Sequence, residues 1–147
     1  MAYREKAAWL TLICMVLAYG VYFPMMALRE TPPTLFDILW SFGIIAGAQA
    51  VAVIIGHIVL AFQERGSRSV WPWVRIASAD ERDRAIARRG ASAGYYVLMA
   101  GTILVGVVMP FTEPAPKIVN TALLAIVISQ AVSLVLILLS YRRGWHG

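Results

Sequence analysis

Four long apolar runs, residues 7–28, 35–62, 91–111 and 118–141, constrain this chain more than any other feature. Each matches or exceeds the roughly 20 residues that carry an α-helix across about 30 Å of hydrocarbon. None holds a Lys, Arg or Glu in its interior, and Asp37 sits at the edge of the second, within reach of headgroups. With no water in the bilayer core, a spanning segment must satisfy its own backbone hydrogen bonds, so it must be helical. Barrel strands are shorter and alternate in polarity. The expected fold class is therefore all-α: one integral membrane domain over residues 1–147, a four-helix bundle of two helical hairpins. Its helices are expected at about 7–28, 35–62, 80–111 and 118–141, with a cytoplasmic loop over 63–79.

Composition excludes the alternatives. The chain has 147 residues, 60% of them hydrophobic and 14% charged. A soluble domain this small could not hide so much apolar surface. The net charge of +5 could point to nucleic acid. The basic residues lie in short segments between apolar runs, however, where anionic headgroups would meet them. Membrane lipid is the expected partner, and nucleic acid is not. The single cysteine, Cys14, lies in the first run and reads as a small buried hydrophobe. Arg4 and Lys6 before the first run give it the look of a signal peptide, but the run is too long for that and reads as a retained span.

The connections set the expected orientation. Residues 29–34 (RETPPT) and 111–117 (FTEPAPK) are short turns with prolines that stop helices. The middle connection is longer and basic and carries Trp71 and Trp73, which favour the membrane–water interface. Eleven Lys and Arg residues fall in the two termini, the middle connection and the start of the third helix, against Arg29 and Lys117 in the two short turns. The positive-inside rule places both termini in the cytoplasm. Tyr3, Trp9, Tyr141 and Trp145 would flank that interface, and Tyr22, Phe23, Trp40 and Phe111 the outer one. Gln49-Ala50-Val51 and Gln130-Ala131-Val132 form a loose internal echo between the second and fourth helices.

Ser78-Ala79-Asp80-Glu81 fits a capping box that would start the third helix in the cytoplasm. Asp80, Glu81 and Asp83 then favour the positive end of the helix dipole, and Asp80 and Glu81 can pair with Arg84. Arg82, Arg88 and Arg89 complete the cluster, the last two as snorkelling side chains at the membrane entry. The cluster reads either as a solvated helix end with orienting arginines or as a contact surface for a protein partner or second copy. Residues 79–98 (ADERDRAIARRGASAGYYVL) resemble the signature of a family of small bacterial four-helix inner-membrane proteins of unassigned function. Residues 3–9 (YREKAAW), 57–60 (HIVL) and 141–144 (YRRG) resemble its other recurring pieces. The resemblance runs along nearly the whole chain and implies the fold and a bacterial inner membrane. Glu often stands in that family where this chain has Gln49 and Gln130, and the resemblance implies no activity.

Intramembrane polar residues are the default functional candidates. Here they are Gln49, His57, Gln130, Ser129, Ser133 and Asn120. Gln49 and His57 lie about 80° apart around one helix and can share a stripe. Interhelical hydrogen bonding is the plainer role for all of them. Gly43–Gly47 and Gly90–Gly94 have the small-xxx-small spacing of close helix contacts. No nucleophile lies beside a base, and no metal-ligand spacing occurs, so neither an enzyme nor a cofactor is expected. The leading expectation is a non-catalytic accessory, regulatory or scaffold subunit. The alternative is a small four-helix transporter or channel-like protein, although the glutamines at mid-span do not titrate.

Overall fold

The computed structural model describes residues 3–65 and 81–143, with side chains described over 5–63 and 83–143. These residues form four long helices: α1 (Tyr3–Ala27), α2 (Leu35–Arg65), α3 (Glu81–Ile103) and α4 (Ala115–Arg142). All four are long and apolar enough to cross a membrane, α3 together with its continuation to Phe111. The helix boundaries fall within four residues of those expected, except where α3 changes form. Trp71, Trp73, Ser78 and Asp80 lie outside the described residues, as do the side chains of Glu81 and Arg82.

Prolines shape the outer ends. Pro24 within α1 has no N–H, so the Gly20 carbonyl loses its usual donor. The α-helix of α3 stops at Ile103 and gives way to a π-turn over Leu104–Val108 and a 3-10 turn over Met109–Phe111. Pro110 is the physical reason: it cannot donate to the Gly106 carbonyl, and its ring would collide with it in regular α geometry. The sequence reading of one regular helix from 80 to 111 missed this change of winding. At the start of α2, Thr34 N and Oγ1 both donate to Asp37 Oδ2, at 3.1 and 2.8 Å, and Asp37 N donates to Thr34 Oγ1 at 3.2 Å. This reciprocal cap satisfies two amides that the helix cannot. Pro114 caps α4, and Lys117 pairs with Glu113 at 2.7 Å.

The four helices do not pack equally. α4 touches α1, α2 and α3, and α1 also touches α2. Among the described residues α3 packs on α4 alone of the other three helices. The α3–α4 seam is very close. A Cβ added at Gly90 would lie 2.6 Å from Ile137 Cγ1 and 2.9 Å from the Ser133 carbonyl oxygen. One at Gly94 would lie 3.0 Å from the Ser129 carbonyl oxygen, and one at Gly101 2.6 Å from Ala125 Cβ. The Ser129 hydroxyl donates to the Gly94 carbonyl at 2.8 Å across this seam. Small residues on both helices thus let the backbones meet. Gly43 and Gly47 on α2 have open space around them instead.

This contrast predicts opposite responses to the same substitution. Gly90→Ala should lower detergent-solubilised stability by about 1–3 kcal/mol through overpacking. Gly43→Ala should leave it unchanged or raise it by up to about 1 kcal/mol through helix propensity. Thermal unfolding of both variants beside the parent reads the difference, and equal losses would contradict the seam described.

Candidate functional site

The charged start of α3 is divided between two faces. Ile86, Gly90 and Gly94 are buried towards α4, and Asp83 belongs to the same face. The Tyr141 hydroxyl donates to Asp83 Oδ1 at 2.8 Å, so this carboxylate is engaged within the chain. Arg84 and Arg88 project from the opposite face and are exposed, as is Arg89. One helix face carries Arg84, Arg88, Tyr95 and Met99 in line, since offsets of four and seven residues keep one heading. Tyr95 is 56% and Met99 43% exposed, so the stripe continues from the cations into the apolar span. Sequence spacing brought all these charges into one cluster, whereas the structure places Asp83 on a different face from Arg84 and Arg88.

The intramembrane polar residues also part company. His57 Nε2 lies 3.5 Å from Thr11 Oγ1, and Thr11 donates its own proton to the Ala7 carbonyl at 2.9 Å. A hydroxyl has one proton, so Nε2 must be the donor in this long contact between α1 and α2. Gln49 is half-buried, and Gln130 is exposed beside the buried Ser129. No hydrogen bond joins either glutamine to a described residue. The two glutamines that echo each other in sequence therefore do not share an environment. Among the described residues, no three His, Cys, Asp or Glu side chains converge as a metal-binding group.

The polar centre of the molecule is one that sequence spacing did not single out. Tyr22, expected at the outer interface, is fully buried. Its hydroxyl lies 3.2 Å from Asn120 Oδ1 on α4 and 3.4 Å from the Ile38 carbonyl on α2. Its ring meets Phe23 and Phe42 edge-on, with centroids 4.9 and 5.4 Å away, and Tyr19 stacks on Phe42 at 5.3 Å. One phenol thus ties α1 to both α2 and α4. Asn120 was the only available signal, because a lone amide in an apolar span needs a partner. At the other end, the Arg142 guanidinium lies over the Trp9 ring, 5.4 Å from its centroid, and links α4 to α1.

No protein-family model, no curated protein and no solved structure matches this chain. The geometry itself therefore carries the functional argument.

The Asp83–Tyr141 bond makes a specific claim about stability. Tyr141→Phe should cost about 1–2 kcal/mol, because it strands part of a half-buried carboxylate's hydrogen bonding. In a double-mutant cycle with Asp83→Asn the two losses should fall short of additivity. Strictly additive losses would show that the pair is not coupled.

Proposed function

We propose that this chain is a non-catalytic accessory or scaffold subunit of a bacterial inner membrane, built as two helical hairpins with both termini in the cytoplasm. It binds a protein partner through the outer face of α3. The observation that carries this reading is the division of that helix into a packed face and an unpacked one. Asp83, Ile86, Gly90 and Gly94 are spent on α4, whereas Arg84, Arg88, Tyr95 and Met99 lie on a face that no other described helix touches. Two cations above an aromatic and a thioether suit an acidic helix start on a partner that continues as a membrane span. The basic middle connection supports the same side of the membrane through attraction to anionic lipid. The contact of Trp9 with Arg142 supports it too, since it brings the first and last helix ends together.

The test is co-purification in a mild detergent. Arg84→Gln with Arg88→Gln should abolish a stoichiometric partner that the parent retains, while insertion and thermal stability stay at parent level. Truncating one member of a buried, hydrogen-bonded charge pair weakens a complex by about 2–5 kcal/mol. A partner held equally by parent and variant at low and high salt would overturn the reading. A substrate-dependent proton flux in liposomes would mark a transporter instead. The orientation has its own test. Reporter fusions after Gln63, Arg89 and Gly147 should read cytoplasmic, and fusions within residues 31–34 and 113–116 external.

A further inference from the structure

An open groove of about 390 Å³ lies where one end of α1 meets the ends of α2 and α4. It is lined by Lys6, Trp9, Leu10 and Ile13 of α1, Leu60 of α2 and Arg142 of α4. Its volume is within the usual range of small-molecule sites, about 300–1,000 Å³. The lining is graded in polarity along the helix axis. Lys6 and Arg142 stand at the end of the bundle, and Ile13 lies about 10 Å deeper along α1 at 1.5 Å per residue. Trp9 lies between the two zones. Three helices therefore frame an apolar floor beneath two cations, at the end of three segments that can cross a membrane.

The two cations are available to an outside anion. Among the described residues no carboxylate lies within ion-pair distance of Lys6 or Arg142. Glu5 neighbours Lys6 in the chain but does not line the groove. The Arg142 guanidinium carbon lies over the Trp9 ring, 5.4 Å from its centroid. A guanidinium over a ring face has no acceptor there to take its N–H groups, so they can serve an oxyanion.

We propose that this groove binds one anionic phospholipid, with its phosphate between Lys6 and Arg142 and an acyl chain along Leu10, Ile13 and Leu60. The inference rests on this end of the bundle meeting a membrane surface, and not on the α3 docking reading. The apolar floor is what selects a lipid over free phosphate. A phosphate ion would use the cations and leave Leu10, Ile13 and Leu60 without a role.

Native mass spectrometry of the full chain in mild detergent tests it, with phosphatidylglycerol, phosphatidylcholine and inorganic phosphate as probes. The parent should take one phosphatidylglycerol at least about tenfold more tightly than phosphatidylcholine, as two nearby cations warrant. Lys6→Gln with Arg142→Gln should remove that preference. Arg29→Gln with Lys117→Gln removes the same charge from the opposite helix ends and should keep it. Ile13→Trp fills the floor from an exposed position without changing charge, and should weaken phosphatidylglycerol binding even if the groove double variant does not fold. Equal affinity of the parent for the two lipids would overturn the proposal. So would an equal loss in the Arg29 and Lys117 control, unaltered binding in Ile13→Trp, or displacement of the lipid by inorganic phosphate. None of these measurements involves Arg84 or Arg88, so failure here leaves the docking reading intact, and failure of docking leaves this one.

Discussion

Lipid tails solvate a leucine about as well as a neighbouring helix does, so apolar burial alone cannot draw these helices together. Association must come from close van der Waals contact and from polar groups that find partners across the seam. The chain supplies the first on α3 and α4, where Gly90, Gly94 and Gly101 meet Ser133, Ser129 and Ala125. It supplies the second through Ser129 to the Gly94 carbonyl and through Tyr22 to Asn120. Both devices converge on α4. The placement of α1 and α3 follows from which face of α4 each uses, and α2 packs chiefly on α1.

That economy leaves α2 and α3 with large uncommitted surfaces. Among its described side chains α2 buries only Ile38, and the outer stripe of α3 is untouched by the other described helices. Lipid satisfies the apolar part of such surfaces at no cost. It does not by itself account for Arg84 and Arg88 lined up above Tyr95. The same distinction separates the two cationic features of the molecule. Lys6 and Arg142 come from different helices and border an open apolar groove, whereas Arg84 and Arg88 share one convex helix face. The first shape suits a small amphiphile and the second suits another helix.

The existence of four helices long and apolar enough to span a membrane was readable from the lengths of the apolar runs, because length against bilayer thickness is a global constraint. The facing of each helix was not. A helix that is apolar all round has no polar side to point outward, so nothing in the sequence indicates that Gln130 is exposed and Ser129 buried. Gly43–Gly47 and Gly90–Gly94 have identical spacing, yet only the second pair meets another helix, since spacing describes a surface and not its neighbour. Tyr22 has the composition of an interfacial anchor but faces inward, because Asn120 lies opposite it. Thr34 and Asp37 form a reciprocal cap at the start of α2 that the sequence reading did not name, since it placed Asp37 only at the headgroup edge. The division of the charged cluster required knowing where α4 lies, since Tyr141 on α4 engages Asp83 on the face away from Arg84 and Arg88.

The dependence of α3 on α4 also bears on how the protein is made. Ribosomes deliver the helices in chain order, and α4 comes last. Until it arrives, α1 and α2 can pair, but α3 packs on neither of these two described helices. Its glycine face and the Asp83 carboxylate must wait in lipid or beside the insertion machinery. Closure of the α3–α4 seam is thus a late event, built onto a pair that α1 and α2 can make earlier.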